Sequence, residues 1–552
     1  MSVLSTVFAY HERTKHHFHR YARSPGYLDW ANQPQPFRYY HGSAEKCLAS
    51  DRKPRALAYD RIYEPDATAP ARVDLGTLAD FFRYSLALTA WKQSGTSRWS
   101  LRVNPSSGNL HPTEAYVLLE STASEADSAT LYHYVSEKHC LERRASFSED
   151  IWNSLMRDLP SGSFLLGLSS VTWREAWKYG ERAFRYCQHD MGHAVAALRL
   201  SAVLCGWRLK LVSTWSMDDV ATLLGLNRED EFPHEEPEES ELLAVVMPNT
   251  SGANIAATFP PPSDKTVDLV RTAQWYGQSN RLSREHVAWP VIDEVSVATR
   301  MPQGTLLDAT RPKSVRHFQP SRALRDVGAE QIIHQRRSCL ALDGRSIVSG
   351  DVFLQILGRT LPGPHPPWDA LYWPTTIHLA LFVHRVNGVA PGLYLLVRDP
   401  DKKEQLKQAM RETFAWQTPP GVPTGFPLYL LIEADCRDAA RALSCHQEIA
   451  ADGFFSLGMI AEFRDPVQKH GAWFYRNLFW EAGMIGQVLY LEAEAAGVRS
   501  TGIGCYFDDP VHEVLGLTDN RFQSLYHFTV GVPVEDHRLQ TWSPYLKAER
   551  KT

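Results

Sequence analysis

Apolar residues recur at helical spacing from Arg182 to Gly206, where Phe184, Cys187, Met191, Val195, Leu198 and Ala202 form one stripe and Gly206 supplies a C-terminal stop. The spacing predicts a long, packed central helix. Thr77 to Lys92 carries Leu78, Phe81, Phe82, Leu86 and Leu88 at similar intervals, and Thr77 with Asp80 resembles a capping box, which predicts a second helix. Period-two or continuous apolar runs predict strands at Ala115 to Glu120, at Leu131 to Tyr134 as its partner, and at Leu242 to Met247. The first fifty residues are rich in aromatics and histidine, with no clear period. They are expected to form a wrapping arm with little regular structure.

A repeat organises these elements. Lys178-Tyr179-Gly180 is matched by Lys469-His470-Gly471, Arg185 by Arg476, Gly192 by Gly483, Gly206 by Gly497, and Leu224-Gly225-Leu226 by Leu515-Gly516-Leu517, all at one constant offset of 291 positions. An offset that survives helix, turn and following helix without a gap points to two fused copies of one domain. The Pro260-Pro261-Pro262 break then separates an arm (1–60) and a first domain (61–262) from a connector (263–320) and a second domain (321–552).

Composition narrows the class. With 552 residues, 44% hydrophobic and 22% charged, the chain reads as globular and multidomain. A net charge of -5 gives no reason to expect nucleic acid or an anionic membrane as partner. No apolar run suggests a membrane span or a signal core, so a cytoplasmic location is expected. Eight scattered cysteines with no C-x-x-C pair suggest neither zinc nor a disulfide framework. His189 and His193, four apart on the central helix, lack a third ligand in view, and no metal is expected.

The chemistry concentrates in Pro105-Ser106-Ser107-Gly108-Asn109-Leu110-His111-Pro112-Thr113-Glu114, a rigid loop of short polar side chains and free-facing amides that suits the edge of a flat heterocycle. It resembles the flavin-contacting loop of the nitroreductase superfamily, in the form found in its SagB-type (azoline/thiazole-oxazole) dehydrogenase branch. That resemblance implies an α+β fold and FMN as cofactor. It further implies a pair of nitroreductase-like domains, each with a mainly antiparallel sheet flanked by helices, assembled as a dimer made covalent.

Further residues resemble the family's pattern. Gln335-Arg336-Arg337-Ser338 is similar to its Arg-x-Ser entry motif, implying Arg336 and Ser338 as phosphate and ribityl contacts, with Arg337 the weaker candidate. Thr501-Gly502-Ile503-Gly504-Cys505 resembles the segment that donates amides to the ring, and Arg538 stands where a second phosphate-binding base is common. At the repeat offset Gly502 and Gly504 become Leu211 and Ser213. Conversely, the second half has Pro364 to Trp368 and Trp373-Pro374-Thr375 in place of the serine-asparagine loop. The surviving parts complement one another, so a single FMN is expected, held by Pro105, Ser106, Ser107 and Asn109 from the first half. Arg336, Arg337, Ser338, Gly502, Ile503, Gly504 and Arg538 would serve it from the second.

Lys178-Tyr179 resembles the Lys-Tyr pair that moves the substrate proton in azoline dehydrogenases, and both side-chain types suit proton transfer beside a cofactor. The implied activity is oxidation of a heterocyclic, peptide-derived or amino-acid-derived biosynthetic intermediate by hydride transfer to flavin N5. Two alternatives stand beside it: an NAD(P)H-dependent nitro or quinone reductase, and a non-catalytic partner protein that keeps the fold.

Overall fold

In the computed structural model, residues 2–50, 52–53, 55–121, 127–250, 259–305 and 327–545 are described. Two large antiparallel sheets dominate. In the first, the strands Cys140–Phe147, Ala129–Val135, Thr113–Glu120, Phe164–Ser170, Glu239–Pro248 and Trp207–Leu211 lie in that order. In the second, the order is Leu428–Glu433, Gly392–Leu396, Ile377–Val383, Phe455–Glu462, Phe522–Gly531 and Arg499–Ile503. Position by position, these six strands have one topology in both sheets, and the first adds Gln274–Trp275 and Glu45–Cys47 beside Cys140–Phe147. The chain is a tandem of two α+β domains of one kind.

The repeat has its physical basis at the middle. The helix Ala183–Leu204 and its counterpart Phe474–Ala495 both have 22 residues, all buried, and they pack on each other. A helix buried on every side must pair its charges. Arg185 donates to Asp508 of the second half at 2.8 Å, while its repeat mate Arg476 reaches back to Glu241 of the first. Where the helices cross, a Cβ on Gly192 would lie 2.2 Å from the Trp480 carbonyl oxygen, and one on Gly483 would lie 2.1 Å from that of His189. Only glycine allows this approach, which is why the pair recurs at the constant offset. Gly206 (φ +68°) and Gly497 (φ +77°) follow the two helices in the left-handed conformation that terminates them.

Three elements differ from expectation. The helix expected over Thr77 to Lys92 spans only Leu75–Arg83, and the capping box is Asp74 with Thr77. Leu88 then starts a hairpin, Leu88–Ser94 with Ser97–Arg102, to which Gln540–Trp542 from the end of the chain adds a third strand. The arm also begins with regular structure. Val3–Arg13 is a helix capped by Ser2, with Val7, Tyr10 and His11 buried. It is anchored to both halves: Arg13 pairs with Glu181 at 2.6 Å, and the His11 ring contacts Tyr475 and Gln523.

The expected start of the second domain at 321 lies outside the described residues, as does the connector after 305. The described part of the connector holds the helices Asp264–Arg271 and Pro290–Ala298. Among the described residues, no helix is long and apolar enough to cross a membrane.

Candidate active site

A cavity of about 470 Å³ lies between the halves. One wall is the loop 105–109, which leads into the strand Thr113–Glu120. Gly108 (φ +58°), Asn109 (φ +60°) and His111 (φ +55°) all adopt left-handed backbone, and this turns the loop sharply. The turn is stitched in place. Asn109 Nδ2 donates to the Ser100 carbonyl at 2.7 Å, the His111 amide donates to Ser106 Oγ at 2.8 Å, and the Ser107 amide donates to Asp190 at 3.0 Å.

The facing wall comes from the second half. Tyr490, on the second central helix, shares a hydrogen bond with Ser338 Oγ at 2.8 Å and accepts the Gly502 amide at 3.0 Å. Cys339 and Thr501 close the same junction, the Cys339 amide donating to Thr501 Oγ1 at 3.0 Å. Gly502 and Gly504 are needed as glycines. A Cβ would lie 2.1 Å from Tyr526 Oη at the first and 2.2 Å from the Tyr186 ring at the second.

One end of the cavity is cationic. Arg336, Arg337, Arg499 and Lys92 all line it. Burial, with Arg336 and Arg499 adding to it, pushes the Arg337 guanidinium down to about 10. Burial likewise lowers Arg336, and burial with Arg337 beside it lowers Lys92. Arg499 has only long carboxylate contacts, 3.6 Å to Glu494 and 3.7 Å to Glu535. Arg336 Nε is buried without a partner, while its Nη2 donates to the Arg102 carbonyl at 2.8 Å. Glu494 and Glu535 stand beside this cluster only at long range, and a phosphate group fits these donors in charge.

Lys178 and Tyr179 approach the loop from the helix Thr172–Tyr179. A Cβ at Gly108 would stand 2.5 Å from Tyr179 Oη and 3.1 Å from Lys178 Nζ, so both polar tips reach the same backbone point. Burial, then Glu175, holds the Tyr179 phenol well above its ordinary range, so it stays protonated.

Of the residues expected from sequence, Pro105, Ser106, Ser107, Asn109, Arg336, Arg337, Ser338, Gly502, Ile503, Gly504 and Tyr179 line this one cavity. Arg538 does not. Its side chain is 86% exposed and folds back on Asp536 at 2.8 Å, because Asp536 also accepts the Arg538 amide and so captures the guanidinium locally. Arg499 occupies the cationic end instead.

Sequence reasoning also missed two carboxyls. Asp190 lines the cavity, and burial pushes it up to about 7. Glu175 lies 3.5 Å from Ser106 Oγ, has one oxygen without a partner, and is raised by burial and then by Asp190. The signal was present: Tyr186, Asp190 and His193 share one helix face, as do Glu175, Lys178 and Tyr179. A pH dependence follows from Asp190. Between about pH 4 and about pH 7 the folded, ligand-free chain keeps a proton that the unfolded chain has lost, so this carboxyl's contribution to stability falls as pH rises through that window. Asp190→Asn is therefore expected to raise the melting temperature relative to wild type more at about pH 7.5 than at about pH 5, measured by thermal denaturation.

The pseudo-equivalent position has closed. Ser170 and Ala461 are repeat mates that pair with Thr113 and Ile377, and counting back four residues puts Trp373 where Asn109 stands. Trp373 is fully buried. It packs on Tyr372 and Trp480, and these two, with Leu211, Met217 and Met301, line a space of only about 10 Å³ beside it. Arg199, the mate of Tyr490, is tied to Asp369 at 2.7 Å.

Residues 69–233 match the family model described as the nitroreductase family. The whole fold is shared with a protein from Anabaena variabilis described as a nitroreductase: TM-score 0.65, 21% identity, covering 96% of this chain and 99% of that one. Shorter matches include a protein from Ralstonia eutropha described in the same way, at 14% identity over 41% of this chain and 90% of that one, TM-score 0.26. The E. coli microcin synthetase McbBCD complex matches at 16% identity over 44% of this chain and 92% of its own matched chain, TM-score 0.26. No curated protein sequence matches the chain. The matched segment 69–233 contains the loop 105–109, Lys92, Lys178 and Tyr179, whereas the three arginines of the cationic end, Arg336, Arg337 and Arg499, lie beyond it.

Proposed function

We propose that the chain is an FMN-dependent oxidoreductase of the SagB type, with one flavin site built from both halves, acting on a heterocyclic, peptide-derived or amino-acid-derived intermediate. The observation that carries this reading is the pairing of one cavity of about 470 Å³, a size usual for cofactor sites, with a closed pseudo-equivalent position. Arg336, Arg337 and Arg499 would hold the phosphate, Ser338 the ribityl chain, and the segments 105–109 and 502–504 the ring.

Bound there, FMN would supply a two-electron acceptor for hydride. The protein supplies proton handling. Lys178 Nζ and the Tyr179 hydroxyl, which burial keeps protonated, would together move the substrate proton at the face of the loop. Asp190 and Glu175 fix the loop from behind through Ser107 and Ser106.

Titrating FMN into the purified chain tests the reading. Saturable quenching of flavin fluorescence is expected, and a chain that binds no FMN would favour the non-catalytic partner. With FMN bound, anaerobic NADPH is expected to bleach the flavin slowly or not at all. Rapid bleaching would favour the nitro or quinone reductase.

A further inference from the structure

Cys505 directly follows Gly504 and lines the cavity, while Cys445 lies on a separate turn that is held against this segment, close enough for the two thiols to interact. Both thiols are partly exposed. The turn is stitched to the cavity wall: Gln447 Nε2 donates to the Cys505 carbonyl at 3.2 Å and to the Ser444 carbonyl at 2.9 Å, and the Phe507 amide donates to the Leu443 carbonyl at 2.9 Å. Cys445 (φ +53°) and His446 (φ +57°) are consecutive non-glycine residues in left-handed backbone, a conformation that needs a reason when it occurs twice in a row. Here it holds the Cys445 side chain beside Cys505.

A third group completes the cluster. His16, from the N-terminal arm, accepts the Ala22 amide at Nδ1 (2.9 Å), which leaves Nε2–H as the donor of the neutral ring, and the ring lies beside Cys505. Arg182 adds positive charge and donates to the Gly504 carbonyl at 3.4 Å, and Asp508 balances Arg182 at 3.0 Å. Tyr21, Tyr179 and Tyr186 face the pair as neutral phenols. The Cys445 thiol, then His16 and Arg182, bring Cys505 down to about 5 against the opposing effect of burial, while the same contact raises Cys445. One sulfur is thus the thiolate and the other keeps the proton, the division of labour that thiol–disulfide exchange requires.

We propose that Cys445 and Cys505 are a redox-active dithiol–disulfide pair that exchanges an electron pair between the cavity and small-molecule disulfides outside it. The exchange with the cavity rests on the flavin reading above; exchange with disulfides does not. In the reducing direction the Cys445–Cys505 bond accepts two electrons and one proton, both available from a reduced flavin, and opens to the Cys505 thiolate and the Cys445 thiol. The thiolate then attacks a disulfide RSSR, forming Cys505–S–S–R and releasing RS⁻. Cys445 loses its proton to solvent and attacks the Cys505 sulfur, which expels a second RS⁻ and restores the internal bond. The net change is two electrons passed to RSSR to give two thiolates.

The test uses the full chain in a Cys47→Ser background, because Cys47 and Cys140 are a second close pair, with sulfurs 2.8 Å apart. After glutathione disulfide treatment and alkylation, non-reducing peptide mapping is expected to give a peptide linked through 445 and 505. Alkylated thiols or glutathione adducts at both positions, without the linkage, would overturn the proposal. The FMN-bound oxidised chain is expected to take up roughly four electrons in anaerobic dithionite titration, against roughly two for the Cys445→Ser and Cys505→Ser variants. Roughly two in the parent chain with FMN bound would overturn exchange with the cavity. A chain that forms the linkage but binds no FMN would instead remove the flavin reading and leave the dithiol site standing.

Discussion

Replacing Arg336 by Ala is expected to weaken FMN binding about 10- to 100-fold, the loss that follows from removing a charge-assisted contact worth about 1.5–3 kcal/mol. Arg336 is buried at the cationic end of the cavity, with one nitrogen unpartnered. Its charge is already disfavoured by burial, so its stabilisation comes from the anion. Arg499→Ala should act in the same direction, since its own carboxylate contacts are 3.6 and 3.7 Å long. Arg538→Ala is the control: its guanidinium is bound to Asp536 at the surface, and flavin affinity should not change. Equal losses from Arg336→Ala and Arg538→Ala in fluorescence titrations would contradict the placement of the phosphate.

Lys178→Ala and Tyr179→Phe are each expected to lower turnover about 10²- to 10⁴-fold, the usual contribution of a positioned proton-transfer group, while FMN remains bound. Both tips meet at Gly108. Tyr179→Phe keeps the ring that packs 4.3 Å from Tyr186 and removes only the hydroxyl, so it separates proton transfer from packing. Single-turnover reduction of the bound flavin by substrate would show the effect directly, and an unchanged rate in either variant would remove that residue from the mechanism.

The architecture was legible where geometry forbids drift. Gly192 and Gly483 cannot carry a side chain at the helix crossing, and Gly206 and Gly497 hold left-handed turns, so the repeat kept its register there and could be read. The split of the cavity walls between the halves was legible for a related reason: Leu211 in place of Gly502, and two tryptophans near Asn109's counterpart, are changes that fill space. What escaped was set by tertiary contact. The helix Val3–Arg13 has a short apolar stripe that is stable only because it docks on both halves. Leu88 reads as the end of a helix until a strand from residues 540–542 pairs beside it. Arg538 and Arg499 cannot be told apart by motif, since a three-residue Asp-His-Arg turn decides which one leaves the cavity. Glu175 and Asp190 escaped because counting apolar positions passes over a buried carboxyl, even when it stands one turn from its partners.

The central claim is that two domains share one flavin. Saturating the chain with FMN, removing unbound cofactor and measuring flavin released per chain against protein concentration tests it most directly. One FMN per chain is the predicted result, and two per chain would contradict it.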